Sequence, residues 1–455
     1  MADGAADRPA DVDRERGRMS VWDDVVGQPR VVAELTAAAQ SADALIEAEH
    51  TAAASPGVQD VPGGLDAAGG LAAVTASAGS GGAVGPESAR PTASRMTHAW
   101  LFTGPPGSGG ATAARAFAAA LQCTSPDRKL GAPPGCGFCD GCHTALIGTH
   151  ADVETVRTDL LTIGVKETRD LVRRASLSPA GGRWQVIVLE DAGRLTEGAA
   201  NVLLKAVEEP APRTVWLLCA PSVEDTLPTI RSRCRLLTLR TPAPEAVAEV
   251  LTRRDGIDPD LAARVARATQ GHIGRARRLA TDEDARARRA EVLRLPLRVS
   301  DVGGCLRAAQ QLVDAAAEDA KAVAEELDAK ETEDLRAALG AATGGRMPRG
   351  TAGAMKDLAD RQKRRSTRTQ RDTLDLALTD LAGFYRDVLN LQLGAPAERV
   401  ANAEALDGIE RVASSSRPEQ SLRRIEAILA CRDALDRNVA PLLAVEAMTL
   451  SLRAG

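Results

Sequence analysis

Aromatic side chains are scarce in this chain of 455 residues, which has four Trp, four Phe and a single Tyr. Its cores must therefore be built from Ala, Val and Leu, a palette that favours packed helices, although 44% apolar residues still suffice for real cores. Long apolar runs are also missing. None reaches the roughly 18 residues needed to span a bilayer, and the charged N-terminus has no signal-peptide core. The sequence thus reads as soluble and cytoplasmic, with no membrane partner. Neither sign of charge predominates: 57 basic residues stand against 62 acidic ones, a net charge of −5. That excludes a general polyanion-binding surface and leaves nucleic-acid contact to local patches. At roughly 150 residues per domain, the length suits about three domains.

The most telling absence is one lysine. Gly104-Pro105-Pro106-Gly107-Ser108-Gly109-Gly110-Ala111 has the glycines of a phosphate-binding loop, G-x-x-x-x-G-K-[ST]. Such a loop needs a lysine for the β- and γ-phosphates and a hydroxyl for Mg²⁺. Gly110 stands in place of the lysine and Ala111 in place of the hydroxyl. Thr112 is no substitute, because one helical step turns a side chain by about 100°. The loop follows an apolar run and precedes an Ala-rich helical stretch, the strand, loop, helix context of the motif. The expectation is a vestigial loop at Gly104, Gly107, Gly109, Gly110 and Ala111 that does not bind ATP productively.

Along the chain, residues 1–18 read as a disordered tail. A helix begins near Pro29, with apolar spacing through Val32, Leu35 and Leu45. Residues 51–95 are Ala, Gly, Ser and Pro with almost no large side chain, and read as a flexible insertion. Residues 19–241 otherwise alternate short apolar runs with helical stretches, as in a parallel α/β sheet. Strands are predicted over 98–102, 152–156, 184–189, 214–220 and 235–239. Three short helices follow from Pro244 to Ala280, in a small domain of residues 242–293. The rest, 294–455, is a helical bundle with a long helix over 355–393 and a break at Gly344, Gly345 and Gly350.

Four cysteines carry a second signal: Cys123, then Cys136, Cys139 and Cys142, spaced by twelve, two and two residues. In a cytoplasmic chain this reads as a closed, structural zinc site, a knob over 123–142. His143 is adjacent but surplus. The strand Val186-Ile187-Val188-Leu189 ends in Glu190 and Asp191, where a P-loop ATPase holds Mg²⁺ and aims its water. With no lysine upstream, the pair reads equally well as carboxylates at a strand end and helix N-terminus, where negative charge is favoured. In Arg231-Ser232-Arg233-Cys234-Arg235, three arginines in five residues fit a solvated or salt-bridged turn.

Taken together, Gly27-Gln28, the glycine loop, the cysteine knob, the stretch from Asn201 through Lys205 to Glu208-Glu209-Pro210, and Ser232-Arg233-Cys234 resemble the bacterial clamp-loader subunits of DNA polymerase III. These belong to the ring-forming ATPases with an added helical lid. The resemblance is close over 20–280 and architectural beyond. The loop is similar to that of the non-nucleotide-binding, delta-prime type rather than the ATP-binding gamma/tau type, which would also have Thr or Asn where this chain has Ala220-Pro221. The resemblance implies a P-loop-type α/β domain with a zinc knob, a small helical lid and an all-α collar. It makes Arg233 a catalytic arginine acting in trans on ATP bound by a neighbour, a task for which a planar, permanently charged fork is suited. Ser232 and Cys234 would shape that loop. Implied partners are gamma/tau and delta subunits in a hetero-oligomeric ring, with the sliding clamp and primer-template DNA reached through it. The chain would be no enzyme alone, though a subunit of a polymerase holoenzyme; nothing in it supplies a polymerase's acidic triad.

Arg275 falls where active relatives carry a phosphate-sensing arginine, and otherwise reads as one of several solvated arginines. The run Arg361, Lys363, Arg364, Arg365, Arg368 and Arg371 fits a solvated face, inter-subunit salt bridges, or contact with DNA or a replication partner. Two other functions stay open: an ATP-hydrolysing gamma/tau-type subunit with a divergent loop, and a zinc-dependent nucleic-acid-binding adaptor. The few cations of the knob, Arg128 and Lys129, speak against the adaptor.

Overall fold

The computed structural model describes residues 20–54, 95–338 and 352–455, apart from 159 and 182. The expected tail, residues 55–94 of the expected insertion, and the break at Gly344, Gly345 and Gly350 lie outside the described residues.

Five apolar runs become strands within one residue of their predicted ends: β1 (Ala99–Thr103), β2 (Val153–Val156), β3 (Gln185–Leu189), β4 (Thr214–Ala220) and β5 (Arg235–Thr238). They form one parallel sheet in the order β2-β3-β4-β1-β5. Strands β1, β3 and β4 are buried throughout, hence their near-continuous apolar sequence. The chain between them forms α1 (Pro29–Ala54), α2 (Gly110–Leu121), α3 (Asp140–Leu146), α4 (Val165–Ala175), α5 (Glu197–Glu208) and the single turn α6 (Pro228–Arg231). Because successive strand side chains point to opposite faces, the sheet divides its core in two. Trp100, Phe102, Val188 and Leu217 pack with α1 and α2. Leu101, Ile187, Trp216 and Leu218 pack with α4 and α5. The Ala-rich α2 lets its backbone lie close to the sheet, and Phe117 meets Trp100 edge-on at 5.2 Å.

Helix α1 departs from expectation in two ways. It continues through Ala54, because a helix already nucleated propagates readily into Thr51 and the three alanines after it. Leu45, expected on the buried stripe, is 42% exposed, and the inward positions are Leu35, Ala38, Ala39, Ala42 and Ile46. Small alanines carry the stripe, so apolar spacing read from large residues alone picks the wrong face.

The three short helices appear as α7 (Pro244–Asp255), α8 (Pro259–Ala268) and α9 (Ile273–Thr281) around Val247, Leu251, Ala262 and Ala276. Proline at the first turn starts α7 and α8, and the side chains of Asp258 and His272 cap α8 and α9. Then come α10 (Glu283–Arg294), α11 (Val302–Ala338), α12 (Ala352–Gln392), α13 (Leu406–Ser415), α14 (Pro418–Asp436) and α15 (Pro441–Ala454). Their core is built on α12, through Leu374, Leu378, Leu381, Phe384, Tyr385 and Val388.

Candidate nucleotide loop, arginine motif and cysteine cluster

The glycine loop lies where the sheet's connections diverge. From β1 the chain runs to β2 at one edge, and β5 later returns to the other side of β1. Such a switch point opens a crevice at the carboxyl ends of the strands. Gly107 (φ 88°) and Gly109 (φ 91°) occupy left-handed conformations there, and Gly109 caps α2. The buried Ser108 donates its N–H to Pro105 O at 2.9 Å. Gln28 fastens the loop: its Nε2 donates to Ser108 O at 3.2 Å and to Arg240 O, and its Oε1 accepts from Arg240 N at 3.3 Å. Gly110 and Ala111 are the first two residues of α2 and offer nothing to a phosphate or metal beyond backbone.

His272, the cap of α9, lies against this loop. A Cβ added to Gly107 would overlap the His272 ring. Burial, with Arg275 acting in the same direction, lowers the His272 pKa and favours the neutral ring. Along the sequence His272 stands out only as part of a longer stretch, since no motif relates residues 165 positions apart.

Arg275 matches neither expectation set for it. It is largely buried and ion-paired with Asp380 of α12. Asp380 also accepts from Arg289 Nε at 3.0 Å, and Arg289 reaches Asn402 and Glu404. Two arginines buried around one carboxylate weld the small helical unit to the bundle. Burial lowers the Arg289 pKa, with Asp380 opposing.

Glu190 and Asp191 are engaged within the chain. Glu190 pairs with Arg115 of α2 at 3.2 Å. Asp191 accepts from Thr158 N at 3.2 Å and faces Arg194 at 3.7 Å and Arg368 at 3.6 Å.

The three arginines after α6 part company. Arg231 is exposed, while Arg235 binds Glu34 of α1 (2.7 Å) and lies over the Trp100 ring at 5.1 Å. Arg233 stays on the surface, ion-paired with Glu208 at the end of α5, and its Nη1 donates to Thr229 O at 2.9 Å and Ser232 Oγ at 3.1 Å. Ser232 Oγ donates to Thr229 O at 3.0 Å, tying the turn. Burial pushes the Cys234 thiol up to about 12, so it packs rather than reacts.

The four cysteines converge. Sγ separations are 3.8 Å for Cys123–Cys136, 3.9 Å for Cys123–Cys139 and 4.0 Å for Cys136–Cys142, and all four lie within 4.8 Å of one another. A tetrahedron with Zn–S bonds of about 2.3 Å has edges of about 3.8 Å. The donor set therefore fits a metal ion, and four thiolates match structural zinc. Amides of Thr124 (3.3 Å) and Cys142 (3.5 Å) point to the Cys139 sulfur. Contacts from the Cys123 and Cys142 thiols, above all Cys123, draw the Cys139 pKa down. Gly141 permits the closure, because a Cβ there would collide with the Gln122 carbonyl oxygen. Of the knob's two cations, Arg128 is ion-paired with Asp43 of α1, which removes it from any nucleic-acid surface.

Half of the basic run is engaged inside the chain, which corrects the readings offered for those three residues alone. Arg365 is buried against Asp328 and Glu331 of α11, Arg368 pairs with Asp372 at 3.3 Å and reaches Asp191, and Arg371 donates to Asn438 at 2.7 Å. Arg361 and Arg364 are exposed, as is Lys363. Among the described residues no helix is long and apolar enough to cross a membrane.

A parallel five-stranded sheet with a glycine loop at its switch point, followed by a run of helices, defines an α/β protein in which that loop ends in Gly110 and Ala111. Residues 89–243 match the family model described as DNA polymerase III, delta subunit. The DNA polymerase III subunit delta' of Escherichia coli K12 is 32% identical over 198 residues, 43% of this chain and 58% of that protein. The subunit gamma/tau of Mycobacterium tuberculosis H37Rv is 34% identical over 162 residues, 35% of this chain and 27% of that protein. Over roughly a third to two fifths of its length, the chain is thus similar to delta' and gamma/tau subunits of DNA polymerase III. It spans little more than half the length of the first of these relatives and about a quarter of the second. A solved structure from Thermotoga maritima, a DNA polymerase III gamma subunit-related protein, covers 73% of this chain and 93% of its own at 16% identity, with a TM-score of 0.29.

Proposed function

We propose that the chain is a non-catalytic, delta-prime-like subunit of the DNA polymerase III clamp loader, which binds no nucleotide productively and lends Arg233 to the ATP site of a neighbouring gamma/tau-type subunit. The observation that carries this reading is Gly110-Ala111, where a lysine and a hydroxyl would stand. His272 against Gly107 supports it, because its ring fills space beside the glycine loop. The place of Arg233 supports it too. In the parallel pair of β1 and β5, Arg235 lies opposite Trp100, and the loop begins at Gly104, four residues or about 13 Å further along. Arg233 precedes Arg235, so it lies at the opposite end of this strand pair from its own loop, exposed at the surface.

In this reading residues 19–241 form the P-loop-like domain, 242–293 the lid and 294–455 the collar. The collar holds the subunit in a ring with gamma/tau and delta subunits, and the sliding clamp and primer-template DNA are reached through that ring. Zinc at the four cysteines shapes the knob and takes no part in chemistry. The subunit is a rigid end piece that completes a neighbour's site without cycling itself.

Isothermal titration of the purified chain with Mg·ATP is expected to show no tight binding. Arg233→Ala is expected to lower the DNA-stimulated ATPase of the reconstituted loader, since such a finger is worth on the order of 10³ in rate or more at the site it serves. Tight, Mg²⁺-dependent ATP binding would instead establish the gamma/tau-type reading.

A further inference from the structure

The guanidinium of Arg233 is held along two of its three nitrogens. Nη1 donates to Thr229 O and Ser232 Oγ, and Nε is ion-paired with Oε1 of Glu208. Nη2 makes no hydrogen bond among the described residues, and the side chain is 40% exposed. Nη2 carries two N–H donors, one on the edge it shares with Nε and one on the edge it shares with Nη1.

Glu208 stands where helix electrostatics disfavour it. It is the last residue of α5, next to Glu209, at the helix's negative end. Its side chain is 41% exposed, and an ion pair so open to water adds little to stability. A carboxylate there is poorly explained by the fold and well explained by the arginine it holds.

We infer that Glu208 is a positioning residue for Arg233: its ion pair at Nε holds the guanidinium at the subunit surface, where the donors of Nη2 serve an anionic phosphate on a neighbouring subunit. The inference rests on the reading of Arg233 given above. An unrestrained arginine must lose its rotamer freedom when it engages a phosphate; one already clasped has lost most of it, and its donors are aimed before the reaction begins.

The test is steady-state ATPase of the reconstituted loader with clamp and primed DNA. Glu208→Ala is expected to lower kcat about tenfold, as a misplaced group does, with KM for ATP unchanged because the nucleotide sits on the neighbour. Glu208→Gln, which still accepts from Nε, recovers a substantial part of the rate. The double variant Arg233→Ala/Glu208→Ala equals Arg233→Ala alone, since two residues acting through one group are not additive. An unchanged or raised kcat in Glu208→Ala, a Gln variant as slow as Ala, or independent effects in the double variant would each overturn the inference. If Arg233→Ala slows the loader and Glu208→Ala does not, the role of Glu208 falls alone; if Arg233→Ala has no effect, the reading of Arg233 falls with it.

Discussion

His272 shows how one side chain can couple two parts of the molecule. Its ring rests on Gly107, where only glycine accommodates both the positive φ and the contact. Burial lowers its pKa below the ordinary 6.5, and burial does the same for His150, with Asp152 opposing. On acidification the unfolded chain therefore takes up protons before the folded one. The stability contributed by the two neutral rings is complete above pH about 6.5 and declines as pH falls below that value. Melting curves between about pH 7.5 and about pH 5.5 are expected to show a falling Tm, with a shallower fall in His272→Gln. An equal slope in that variant would assign the effect elsewhere.

At the scale of elements, the knob is a short stretch with little core of its own: Leu130, Phe138 and Ile147 are exposed. What closes it is the convergence of four thiols between the end of α2 and the start of α3. The purified chain is expected to contain about one zinc by elemental analysis. Replacing Cys139 and Cys142 by Ser, or adding a chelator, should lower Tm, because binding energy at a structural site is folding energy. Loss of metal with no change in melting would show that the knob closes without it. Between α11 and α12, apolar packing is joined by opposite charges on facing helices, as Arg365 with Asp328 and Glu331 illustrates.

For the whole molecule, α12 acts as a strut. Its Arg368 reaches Asp191 and the Leu160 carbonyl of the α/β domain, its Asp372 faces Arg194, and its Asp380 holds Arg275 and Arg289 of the helices beyond. A chain cross-braced in this way suits the proposed role of a part that does not cycle. Asp380→Ala leaves two buried guanidinium groups without their shared counter-ion and is expected to destabilise the chain by about 3–5 kcal/mol. Urea unfolding measures it directly, and a loss below about 1 kcal/mol would mean that the brace is not under load.

The sheet, the three short helices α7 to α9, the long α12 and the cysteine cluster were legible in the sequence because each depends on local information: apolar period, proline at helix starts, thiol spacing. The missing lysine and hydroxyl were legible for the same reason, as identities at fixed steps from a glycine. The partners of charged residues were not, since an arginine's environment depends on which distant helix folds against it. Arg233, Arg235, Arg275 and Arg365 are chemically alike along the chain, yet folding leaves the first at the surface against Glu208 and sends the others to Glu34, to Asp380 and to an acidic stretch of α11. Composition and spacing determined what this protein is made to hold; packing across long sequence separations decided which of its charges remain available to anything else.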